Sequence, residues 1–101
     1  MSQGHPTRTP AYTEASVAAS TTAVLAANAN RVGVTIENHS DVVIFLRIGE
    51  SAVKDEGHRL NPLGGDFVMS PQRGNLSLAA INGITATGSS KVVLVTEWVA
   101  P

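Results

Sequence analysis

The feature that most constrains this chain is the run Val42-Val43-Ile44-Phe45-Leu46-Arg47-Ile48. Side chains of a strand alternate between its two faces. Val42, Ile44, Leu46 and Ile48 fill one face, and Val43 and Phe45 fill the other until Arg47. A strand that is apolar on both faces must be covered on both faces. The segment before it is simpler. Val32, Val34 and Ile36 alternate with Gly33, Thr35 and Glu37, which predicts a half-buried strand. Asn38-His39-Ser40-Asp41 joins the two, and these residue types bond their own backbone in turns. The last strand, Lys91 to Val99, is again largely apolar on both faces. Val92, Leu94, Thr96 and Trp98 lie on one side, with Val93, Val95, Glu97 and Val99 on the other.

The rest of the chain reads as short strands between turns. Ala15–Ala19 and Ala23–Ala27 are broken at Ser20-Thr21-Thr22. His58–Leu63 reads as an edge strand because of Pro62, and Asp66–Met69 follows Gly64-Gly65. Asn82-Gly83 lies between Ile81 and Ile84 and predicts a type I′ hairpin, because both residues tolerate φ > 0. Small β-formers with few aromatics suit such strands. The expected fold class is all-β: an antiparallel two-sheet β-sandwich of jelly-roll-like or immunoglobulin-like connectivity. Spacing does not choose between the two, and the chain has no cysteines to supply a Cys-Trp-Cys pattern. The jelly-roll-like form is the expectation taken forward.

Residues 1–13 hold Pro6 and Pro10 and little that is apolar, so they are expected to form an extended N-terminal arm ahead of a sandwich domain over 14–101. Fully extended, such an arm reaches about 43 Å. Its candidate gripping residues are His5, Pro6, Arg8, Pro10 and Tyr12. In an isolated sandwich each strand has one inner face. Val43, Phe45, Val93 and Val95 are therefore expected to form an outward apolar patch, of a kind monomers rarely expose. The cover could come from the chain's own arm or loops or from identical copies. The covering segments within the chain are short and polar, so identical copies are the expectation taken forward, which makes these four residues the candidate self-association face.

No catalytic constellation is visible. His39-Ser40-Asp41 contains triad residue types, but neighbours in a turn cannot form triad geometry among themselves. His5, His39 and His58 are too far apart for a histidine metal site. Glu50, Asp55 and Glu56 match no cation-binding loop and read as a solvated acidic loop. No enzyme activity, cofactor or metal is expected. The net charge is -1 with no basic cluster, so nucleic acid is not an expected partner. No run approaches the roughly 18 apolar residues of a membrane span, and the N-terminus lacks a signal-peptide layout. Trp98 reads as packing in a core strand, with stacking on a sugar or partner as the alternative. Arg31 and Arg47 read as edge charges.

The run Leu25-Ala26-Ala27-Asn28-Ala29-Asn30-Arg31-Val32-Gly33-Val34-Thr35-Ile36-Glu37-Asn38 carries Ala-Asn-x-x-Arg at a strand start and Ile-x-Asn before a turn. Val43-Ile44-Phe45-Leu46-Arg47-Ile48-Gly49 ends a strand in glycine, Gly57-His58-Arg59-Leu60 gives Gly-x-x-Leu, and Thr96-Glu97-Trp98 closes the pattern. Together these resemble a group of small virion structural proteins of tailed bacteriophages. The resemblance covers roughly residues 15–98. It implies a β-sandwich with no catalytic residues, found among capsid decoration or cement proteins. It implies a protein made in the bacterial host cytoplasm that ends on the outer capsid surface, with the major capsid protein and copies of itself as partners. A homotrimer suits a site where three capsomers meet. The arm lies outside the resemblance. The alternatives are a tail, neck or fibre-base subunit, or a carbohydrate- or receptor-binding virion module.

Overall fold

Val34 and Ile36 project from one face of strand β3 (Arg31–Asn38) into the interior, and the other elements assemble around that face. The computed structural model describes residues 8–100, and all of its strands are antiparallel. Sheet A has the order β1-β8-β3-β6, with β1 Thr9–Val17, β6 Asp66–Met69 and β8 Lys91–Val99. Sheet B has the order β2-β7-β4-β5, with β2 Thr22–Leu25, β4 Ile44–Ile48, β5 His58–Leu60 and β7 Ile81–Thr85. The two sheets close a β-sandwich over one core. Val17, Val34, Ile36, Phe67, Met69, Val93 and Val95 come from sheet A; Val24, Ile44, Leu46, Leu60 and Ile81 come from sheet B. The pairing is nested: β1 with β8, β2 with β7, β3 with β6 and β4 with β5.

The doubly apolar β4 is covered from within the chain. Its inward side, Ile44 and Leu46, is fully buried in the core. Its outward Phe45 is also buried, in a second cluster with Ala52 and Ile84, against which Val43 and Ala86 pack. Ala52 belongs to the polar loop after β4, which folds back over sheet B. The Ala52 amide donates to Thr21 Oγ1 at 2.8 Å, and Asn82 Nδ2 donates to the Glu50 carbonyl at 2.7 Å. Arg47 adds contacts to Glu50 and Glu56. The expectation that neighbouring copies cover Phe45 is therefore corrected. A loop rich in polar residues suffices because one small apolar side chain, Ala52, supplies the contact.

Two further expectations are overturned. Residues 9–13 are not arm: they form the first half of β1, which pairs with β8 from Thr9↔Val99 to Val17↔Lys91. Pro10 is tolerated because β1 is an edge strand, where one side of the backbone has no ladder to make. Asn82-Gly83 is not a turn: both residues lie inside β7, paired with β2 on one side and β4 on the other. Neither has positive φ. Glycine is required there by packing. A Cβ on Gly83 would lie 3.0 Å from Val24 Cγ2 and 3.4 Å from Leu46 Cδ2, inside the closed core.

The turn after β3 is built by Asn38. Its Nδ2 donates to the carbonyls of Val42 and Leu60, and its Oδ1 accepts from the Ser40 amide and hydroxyl. Beside it, Lys91 Nζ lies 3.0 Å from Asp41 Oδ1. That hydrogen bond, helped by one to the backbone and by the ammonium charge, holds the exposed Asp41 carboxyl below the ordinary carboxylate range. A depressed carboxyl pKa adds stability above the unfolded-state value, and that increment disappears as pH falls through the folded-state value. Replacing Lys91 with methionine should raise the Asp41 pKa in a carboxyl-carbon NMR titration. The small stability gap between parent and variant should close in acid. A gap that stays unchanged as the pH falls through the folded-state value would contradict this.

Candidate functional site

β8 is apolar on both faces, and only one of them is covered. Val93 and Val95 face the core and are buried, because they pair with Asn38 and Ile36 on the inward side of β3. The other side, Val92, Leu94 and Trp98, faces out of the sandwich and is half-buried. The four residues expected to form an exposed self-association face are thus not one. Val93 and Val95 are core, Phe45 lies beneath Ala52, and Val43 is half-buried against the same cluster. Pattern alone reversed the faces of β8 because Glu97 sits in the Val93–Val95 row and makes it look solvated.

Glu97 turns inward because Arg31 meets it. Arg31 is 2% exposed, and its Nε donates to Glu97 Oε2 at 2.8 Å. Nη1 donates to the carbonyls of Ser77 and Ala79, and Nη2 to that of Ala26. Four of the five guanidinium N–H groups are thus used. The pair ties the β2–β3 connection and the irregular 75–80 segment to the end of β8. Arg31 was expected to be an edge charge; it is the polar centre of that end of the sandwich.

The register lays the outer face of sheet A out in rows. Pro10, Trp98 and Gly33 form one row, and Tyr12, Thr96, Thr35 and Val68 the next. Glu14, Leu94, Glu37 and Asp66 form the third. Neighbouring strands lie ~4.8 Å apart, so each row is a line of touching side chains. A cleft of about 320 Å³ opens around the first row, with Gly33 at its floor and Trp98, Val32, Val68, Gln72 and Arg8 about it. A Cβ at Gly33 would stand 3.4 Å from the Met69 carbonyl oxygen and 3.6 Å from Trp98 Cδ1, at the close end of ordinary contact. The fold would accept alanine there; glycine keeps the floor low. Tyr12, the chain's single tyrosine, is 74% exposed on this face, close to its single tryptophan. The third row carries three carboxylates, and no ion pair holds any of them among the described residues.

Of the expected gripping residues, His5 and Pro6 lie outside the described residues. Arg8, Pro10 and Tyr12 are brought together here as part of the sheet-A face rather than as a separate arm. Sequence reasoning missed Val32, Val68, Leu94 and Trp98 as members of this face. Their signal was present in the alternation of β8, but its inward side depends on which row of β3 it meets. The triad residue types in the turn are held otherwise: Ser40 Oγ bonds Asn38, and Asp41 bonds Lys91. No group of acidic residues and histidines among the described residues is arranged to hold a metal ion. No protein-family model matches the chain, and neither a curated protein nor a solved structure matches it significantly.

Proposed function

We propose that this protein is a capsid decoration, or cement, protein of a tailed bacteriophage. It would bind the outer shell through the exposed face of sheet A and stabilise contacts between major capsid protein subunits. The observation that carries this reading is the face itself, where Trp98 and Arg8 stand with Val32 and Val68 about one cleft and Tyr12 and Leu94 line the neighbouring depression along the same sheet. Tyrosine, tryptophan and arginine are the residue types that dominate binding energy at protein interfaces. The acidic row beside them favours a shell surface carrying lysine or arginine. The nested pairing of eight strands accords with a jelly-roll reading of the sandwich.

The motifs of the phage resemblance support the reading in a second way. Ala-Asn-x-x-Arg and Glu-Trp meet as the Arg31–Glu97 pair. Ile-x-Asn ends in Asn38, which ties the turn to Leu60 of Gly-x-x-Leu. Each motif builds the scaffold, as expected of a family defined by a fold and a docking role rather than by chemistry. The former ground for self-association through Val43, Phe45, Val93 and Val95 is gone, so docking on the shell does not rely on it.

The test uses shells assembled from the major capsid protein of the phage that encodes this chain. Native protein should co-sediment with them and appear on their outer surface by electron microscopy. Tyr12→Ala should raise the dissociation constant about 30-fold, a loss of ~2 kcal/mol, with the melting temperature unchanged. Native protein that ignores the shell, or that is found only on the tail, would end the proposal.

A further inference from the structure

Four strand edges bound the two sheets, and three of them are guarded. β5 has three residues, β6 has four, and β2 has four with a bulge between Ala23 and Leu25. The fourth edge, β1, runs nine residues from Thr9 to Val17 without a bulge or a lysine, and pairs only with β8. No backbone or side-chain hydrogen bond from another described segment reaches its outer side. Native sheets usually blunt such an edge, since its unpaired amides and carbonyls template the addition of another strand. Here Pro10, near one end, and the single charge of Glu14 are its only guards.

A second observation points the same way. Ala15 and Val17 of β1 face the core, so Ala11 and Thr13 lie on that same inner face. Both are nonetheless exposed. The four-residue β2 is too short to cover the first half of β1. The interior side of the sandwich is open at this corner.

We infer that β1 is a dimerisation edge, and that its occupant is β1 of a second copy of this chain, paired antiparallel about a two-fold axis at Thr13. Thr13 is the midpoint of the strand, so this register uses its whole length. It sets Ala11 against Ala15 of the second copy, which continues the dry row across the axis. It sets Tyr12 against Glu14 of the second copy, so the carboxylates do not face each other. Two sheets A then join as one eight-stranded sheet, and the outer face with its aromatic and acidic rows doubles in width. The inference stands independently of shell binding.

The test is the solution mass of the full chain by sedimentation equilibrium, with no shell present. Native protein should show twice the monomer mass. Thr13→Lys places two ammonium groups opposite each other at the axis and should give monomers. Thr13→Glu should do the same. An equimolar mixture of the two variants should recover the dimer mass at low salt and lose it at high salt. Amide exchange across Thr9–Val17 in the native protein should slow as concentration rises through the dimer range. This reading needs no variant to fold. A native monomer or trimer, variants that stay dimeric, a mixture that stays monomeric, or β1 exchange that ignores concentration would each overturn the inference.

Discussion

Replacing Arg31 with methionine is expected to lower the unfolding free energy by about 3–5 kcal/mol, the cost of leaving one member of a buried ion pair alone. A domain of this size has a total stability of roughly 5–15 kcal/mol, so the change removes a large share of it. The melting temperature should fall by roughly 12 °C or more. Two losses combine. Glu97, 9% exposed, keeps its charge without a partner, and the carbonyls of Ala26, Ser77 and Ala79 lose their donors. The double variant Arg31→Met, Glu97→Leu separates them. It removes the stranded carboxylate and should be more stable than the single variant. It should remain below the parent, because the three carbonyls still lack their arginine. Urea unfolding of the four proteins closes the cycle. A single-variant loss under about 1 kcal/mol would place the pair among weak surface contacts and refute its structural role.

Gly57→Ala should lose on the order of 3 kcal/mol, again by urea unfolding. Gly57 has φ +87°, and a Cβ there would fall 2.1 Å from the Leu46 carbonyl oxygen and 2.9 Å from Arg47 Cγ. Positive-φ strain contributes about 1–3 kcal/mol, and overlap with the fixed backbone of β4 adds a similar amount. Gly74→Ala is the control. Gly74 has φ +72°, yet a Cβ there meets nothing within 4 Å, so only the strain applies. The difference between the two variants isolates the close approach of the loop to β4. Because that loop carries Ala52 over Phe45 and Ile84, Gly57→Ala should also increase binding of a hydrophobic dye. Equal losses at the two glycines would show that the loop does not press on β4.

Strand content was legible in this chain because period-2 alternation is a local property. β3, β4, β6 and β8 lie close to where their apolar residues place them. The errors share one cause: each involved a partner distant in sequence. Asn82-Gly83 has the residues of a tight turn, but β2 and β4 flank it and the crowded core accounts for the glycine. Pro10 argued against a strand until β1 proved to be an edge. The candidate face was half legible. Tyr12, Arg8 and Pro10 read as an arm, whereas Trp98 read as packing and Leu94 only as one member of its row.

The order of residues along the chain was enough to determine the class of fold, the existence of two strands apolar on both sides, and the pairing of residues into rows within each strand. Which row of β8 turned inward was decided only in three dimensions. Alternation is symmetric between faces, and the symmetry is broken when Arg31, 66 residues away, neutralises Glu97 inside the sandwich. The cover over Phe45 was decided in the same way, by a loop whose one useful apolar contact is an alanine. Local chemistry makes a strand two-sided; the segments packed against it decide which side stays dry.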